Sequence, residues 1–153
     1  MEKPLAGKRR TVTMLGIVVI TITVILLVNE LRIGNRVLTA AKKEKLANEY
    51  TQVQTAAISS YTEYSVYPSA PDNATLIRML TGESAEGNQR RIAFISIKDS
   101  DRDAKGDLLD PWGTPVELSV TADGKLHARS AGPDKTFGTA DDISGDTNLS
   151  GEK

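Results

Sequence analysis

Residues 11–28 read TVTMLGIVVITITVILLV: eighteen positions without a charge, twelve of them Val, Ile or Leu. At 1.5 Å per residue a helix of that length reaches about 27 Å, close to the roughly 30 Å hydrocarbon thickness of a bilayer. Each apolar side chain near the middle of such a helix favours insertion by about 0.3 to 0.6 kcal/mol. The four threonines oppose it weakly, because their hydroxyls can bond back to the preceding turn. Soluble cores rarely need so long an uncharged run, so the stretch predicts a membrane span over residues 11–29. A cleaved secretory signal fits less well. The basic residues Lys8, Arg9 and Arg10 are present, but the apolar run exceeds the usual 7 to 15 residues and no small-x-small site closes it.

Outward from this span, residues 1–10 form a short basic leader expected on the cytoplasmic side. Arg32, Arg36, Lys42, Lys43 and Lys45 follow the span at growing distance, so charge alone favours an inward N-terminus only mildly. Residues 30–67 contain no proline and one glycine, Gly34, and are rich in helix formers. Leu46, Tyr50, Val53, Ala57, Tyr61 and Tyr64 recur at three- and four-residue steps, which predicts an apolar stripe packed on a globular domain. One helix, apolar first and amphipathic afterwards, is expected to end before Pro68.

Residues 68–146 are enough for one small domain. Asp72 or Asn73 caps a short helix through Leu80, with Leu76, Ile77 and Leu80 inward and Gly82 as the stop. Ile92 to Ile97 is a short strand or an apolar tuck. Pro115 to Ala122 and Lys125 to Ala131 alternate as strands around a two-residue Asp123-Gly124 turn of the type I′ kind. Residues 147–153 are expected to be a flexible tail. The fold class is α+β: a long N-terminal helix packed on a small antiparallel sheet, followed by a C-terminal metal-binding loop.

Composition narrows the function. The formal charge is −1, which gives no global signal for nucleic acid. Cysteine is absent, which closes off thiol chemistry, disulfides and cysteine metal sites, and His127 is the single histidine, which leaves a histidine-rich metal site or a triad with several candidate bases hardly available. No nucleophile, base and orienting group fall at a recognisable spacing, and the chain is expected not to be an enzyme or to take a small-molecule substrate. Asp110-Pro111-Trp112-Gly113-Thr114-Pro115 reads as a rigid turn that pins the only tryptophan into the core. Asp134, Asp141 and Asp142 flank Thr136-Phe137-Gly138-Thr139. Like charges in a closed loop call for a counter-ion, and hard oxygen donors suit Ca²⁺. The candidate metal residues are Asp134, Thr136, Thr139, Asp141 and Asp142. A second acidic run places Asp99, Asp101, Asp103, Asp107 and Asp110 at EF-hand-like positions, but Ala104 replaces the turn glycine and Asp110 the longer glutamate.

With LLDPWGTPVELSV and SAGPDKTFGTADDI in place behind the helix, the chain resembles the type IV pilin-like proteins, and in particular the major pseudopilin of type II secretion systems. Residues 108–143 carry the specific part of the resemblance, and residues 11–82 match in layout. The resemblance implies a structural subunit that polymerises through its N-terminal helix into a filament and works with other secretion or pilus assembly proteins. It implies residence in the bacterial inner membrane with the domain periplasmic or extracellular. It also implies calcium held by loop carbonyls and the aspartates at 134, 141 and 142. The family has a glycine followed by Phe-Thr-Leu-Ile-Glu, where prepilin peptidase cuts. Here Arg10 stands at the glycine, Thr11 at the phenylalanine and Leu15 at the glutamate. Residues 1–10 are therefore expected to stay attached. The alternative is a single-pass anchored module that keeps the domain and does not polymerise.

Overall fold

The stripe that begins at Leu46 organises the domain. In the computed structural model, which describes residues 6–149, one helix, α1 (Ala6–Tyr64), carries it. Residues 1–5 of the expected leader and 150–153 of the expected tail lie outside the described residues. The chain divides into two compact units, residues 1–40 and residues 41–153. The helix already begins at Ala6, two residues after Pro4, and runs through Gly7 into the good helix formers Lys8, Arg9 and Arg10.

In the first unit the apolar side chains from Ile17 to Leu38 are exposed, Ile17 by 63% and Leu31 by 67%. Thr21 and Thr23 donate their hydroxyls to the carbonyls of Ile17 and Val19, at 2.6 and 2.9 Å, so neither brings an unsatisfied polar group to the surface. Among the described residues this is the one helix long and apolar enough to cross a membrane.

In the second unit α1 buries Leu46, Tyr50, Val53, Ala56, Ala57 and Ser60. The inward positions at 46, 50, 53, 57 and 60 follow alternating four- and three-residue steps. The expected Tyr61 is instead exposed and stacks on Tyr67 with ring centroids 4.3 Å apart, and Tyr64 is half-buried. The steric step falls on the smaller Ser60. The helix stops at Tyr64, three residues short of the expected end. Ser65 takes a left-handed conformation (φ 57°), and its N–H reaches back to the Tyr61 carbonyl at 2.7 Å.

Helix α2 (Asn73–Leu80) has Asp72 as its N-cap, whose carboxylate accepts the Thr75 N–H at 2.8 Å. Leu76, Ile77 and Leu80 are fully buried as expected. Ile92 to Ile97 is a tuck, not a strand. The Phe94 and Ile95 N–H groups donate to the Leu80 carbonyl, and Phe94, Ile95 and Ile97 lie half-buried against the core.

The sheet is antiparallel and centred on β2 (Lys125–Ser130). β1 (Glu117–Val120) pairs along one edge, with Leu118 opposite Ala128 and Val120 opposite Leu126. β3 (Ile143–Ser144) and β4 (Thr147–Asn148) share the other edge in one register. Between them the Ala128 N–H donates to the Asp146 carboxylate at 2.8 Å, a side chain standing in for the ladder carbonyl. Residues 147–149 therefore depart from the expected flexible tail. β4 pairs with Lys125 and Leu126, the Leu149 N–H donates to the Gly124 carbonyl at 2.7 Å, and Leu149 is buried.

The β1–β2 connection also differs from the expected two-residue turn. Thr121 accepts from the Gly124 N–H at 3.0 Å and donates its own N–H to Lys125, leaving a three-residue loop. Gly124 alone is left-handed (φ 79°). This is a three-residue hairpin in which the glycine supplies the bulge conformation, whereas type I′ would need a positive φ at Asp123 as well.

Candidate functional site

The C-terminal loop grows out of β2, and its first support is a residue on that strand. Arg129 sends Nε and Nη2 to Asp142 Oδ2 at 3.1 and 3.0 Å, and its guanidinium lies 5.1 Å from the centre of the Phe137 ring. The same Asp142 oxygen accepts the Gly138 N–H at 2.8 Å. Asp141 Oδ2 accepts the Asp134 N–H at 3.0 Å, and Asp141 Oδ1 takes the Thr139 hydroxyl at 2.6 Å. That hydroxyl bond, ahead of the backbone donor, holds the Asp141 carboxyl below the ordinary aspartate range. Asp134 Oδ1 accepts the Thr136 N–H at 2.9 Å, and the Thr136 hydroxyl turns to the Asp134 carbonyl at 3.3 Å.

The five expected residues thus occupy one loop, linked through their own backbone. The charge argument needs revision. Repulsion among Asp134, Asp141 and Asp142 is offset in part by Arg129, whose role the sequence did not reveal, and by peptide N–H groups aimed at the carboxylates. Among the described residues no three His, Cys, Asp or Glu side chains are grouped to hold an ion by themselves. One oxygen is left over: Asp142 Oδ1 is buried and has no hydrogen-bond partner. An orphan carboxylate oxygen is a donor that suits a hard ion. The residues fit calcium in chemistry, with Asp142 first and the aspartates at 134 and 141 behind it.

The second acidic run is dispersed. Asp103 Oδ1 accepts the N–H groups of Lys105 and Asp107 in a side-chain-closed turn, and Asp101 pairs with Lys45 at 3.1 Å. Asp110 turns the other way. It is buried and accepts from the Trp112 and Thr114 N–H groups, each at 2.9 Å, and from the Ser130 hydroxyl at 2.6 Å. Asp110 therefore builds the Pro-Trp-Gly turn and ties it to β2. Trp112, expected in the core, is only half-buried, with the Lys42 ammonium 5.6 Å from the centre of its ring.

Two buried asparagines do comparable work. Asn73 donates to the Leu108 and Val116 carbonyls and accepts the Leu108 N–H, each within 3.0 Å. Asn88 donates to the Met79 and Ile92 carbonyls at 2.7 Å and accepts from Ile92 N–H and the Tyr64 hydroxyl. The Asn73 bonds and the Asn88 bond to Met79 satisfy polar groups in buried surroundings, and the other Asn88 bonds lie at the edge of the core. No family model, curated protein or solved structure matches the chain.

Proposed function

We propose that the chain is a pseudopilin-like structural subunit, held in the bacterial inner membrane by residues 11–29 with its N-terminus cytoplasmic and its domain outside. The observation that carries this is the division of labour along α1. Its first part exposes an apolar surface from Ile17 to Val28, and residues 46–60 of the same helix close the core of a small antiparallel domain. Such a chain presents a lipid-compatible helix and a folded head, the parts a helix-driven filament needs. The resemblance in residues 108–143 points the same way. Recovery of filaments tests it. Surface material sheared from cells that overproduce the chain with its secretion machinery should pellet as polymer. If the chain stays monomeric in the membrane under those conditions, the anchored, non-polymerising module is the correct description.

Calcium binding at the C-terminal loop belongs to this proposal. Asp142 would hold the ion, helped by Asp134, Asp141 and loop carbonyls, with Thr136 and Thr139 shaping the turn. An ion bound only by the folded loop raises stability by mass action. At ten times its dissociation constant the gain is about 1.4 kcal/mol. The detergent-solubilised chain should melt higher with millimolar calcium than with chelator, and Asp142→Asn should remove the difference. Equal melting of the unsubstituted chain under both conditions would mean that Arg129 and the peptide N–H groups stabilise the loop without a metal.

A further inference from the structure

Within the first unit, α1 continues past the expected span as residues 29–40, NELRIGNRVLTA. Leu31, Ile33, Val37 and Leu38 are all exposed there, an apolar collar poorly suited to open water. Arg32 and Arg36 are exposed as well. Among the described residues neither arginine has a carboxylate within ion-pair reach. At 3.6 residues per turn the two arginines stand about 40° apart, on one face of the helix. Glu30 lies about 160° round from Arg32, too far to pair with it on the same helix. Leu31 and Leu38 flank the arginine face on one side, and Ile33 and Val37 flank it on the other.

Height along the helix and charge together select what covers this face. On a helix along the bilayer normal, Arg32 lies about 6 Å and Arg36 about 12 Å beyond Val28. The headgroup layer on each side of the hydrocarbon is roughly 5 to 8 Å deep. Helical Cα–Cβ bonds tilt toward the N-terminus, so both side chains lean back toward the bilayer, and a long arginine stem covers the remaining distance. The guanidinium fork matches phosphate oxygens in pairs. The same segment of a second copy offers one carboxylate, Glu30, to two arginines, a poorer match than a leaflet of phosphates. We propose that Arg32 and Arg36 bind the headgroup phosphate of an anionic phospholipid in the leaflet where the span ends, with the flanking apolar side chains against its glycerol and upper acyl region. A zwitterionic lipid carries its own cation beside the phosphate and leaves no net charge for the arginines. The inference rests on the membrane span over residues 11–29 and is independent of filament formation and of calcium.

The test is spin resonance of spin-labelled phosphatidylglycerol and phosphatidylcholine in phosphatidylcholine vesicles that hold the full chain, at about 0.15 M salt to screen distant charges. It is repeated in a leader-neutral chain with Lys8→Gln, Arg9→Gln and Arg10→Gln, which removes the cations at the other end of the span. In both chains phosphatidylglycerol should be immobilised about twofold or more over phosphatidylcholine, averaged over the first lipid shell. Arg32→Gln with Arg36→Gln should bring the leader-neutral chain to parity, and glutamine at these exposed positions keeps the helix. Arg32→Lys with Arg36→Lys keeps the charge without the fork and should retain part of the preference. Glu30→Gln should not lower it. Equal immobilisation of the two lipids by the leader-neutral chain, or a preference unchanged by the glutamine pair, would overturn the proposal while leaving the span intact. An unchanged preference joined to loss of disulfide cross-linking between copies through Asn35→Cys would overturn it in favour of a second copy, a clear readout in a chain without cysteine. If neither lipid is immobilised, no helix faces lipid, and the span falls together with the site.

Discussion

Residues 16–40 and 41–64 share one backbone conformation and differ in what surrounds them. In the first stretch the large apolar residues are exposed on every face, and the threonine hydroxyls bond to their own helix. In the second, apolar contact is confined to a narrow seam through Leu46, Tyr50, Val53 and Ala57, and the outward threonines and Ser59 bond back to the preceding turn. Helix formation does not distinguish them. The width of the apolar face does: a full circumference suits hydrocarbon, and a seam suits a protein core.

The sharpest way to break that comparison is to place a charge on the seam. Val53 is 1% exposed, so Val53→Asp would bury a carboxylate without a partner, at a cost of several kcal/mol. The domain should lose cooperative unfolding in urea. A smaller effect is expected where the seam meets the sheet edge. Gly145 lies against the Tyr50 ring, and a Cβ there would overlap it. Gly145→Ala should cost roughly 1 to 3 kcal/mol through overpacking, seen as a lower denaturation midpoint with an unchanged slope. Lys43 is on the exposed face of the same turns, and Lys43→Asp should stay within about 0.5 kcal/mol of the parent. Equal losses at positions 53 and 43 would show that the seam is misplaced.

Much of this frame was legible from local pattern. A cap at Asp72 or Asn73 follows from residue type just ahead of the apolar run, and Leu76, Ile77 and Leu80 as the inner face of α2 and the alternation through Leu118, Val120, Leu126 and Ala128 each follow from the period of one element; the structure selects Asp72 as the cap. Misreadings arose where size or distance outweighed period. Tyr61 attracts assignment to the core by its bulk, yet the helical step delivers Ser60. Asp-Gly serves both a two-residue and a three-residue hairpin, and the choice depends on where the strands end. The stretch ISGDTN carries almost no apolar signal, because β3 and β4 are held by pairing with β2 and by the Asp146 carboxylate. In the C-terminal loop the aspartates were visible, but their countercharge was not. Arg129 meets Asp142 across thirteen residues, and the sequence alone does not say which cation turns toward the loop. Asp110 appeared to be an acidic-loop residue for the same reason, since its partner Ser130 lies twenty residues away.

The membrane span bears the most weight, and alkaline carbonate extraction tests it most directly. Membranes from cells producing the full chain should retain it in the pellet after extraction, and residues 36–153 produced alone should appear in the soluble fraction. Release of the full chain into the carbonate supernatant would contradict the span and leave the exposed surface from Ile17 to Val28 in need of a protein partner instead of a bilayer.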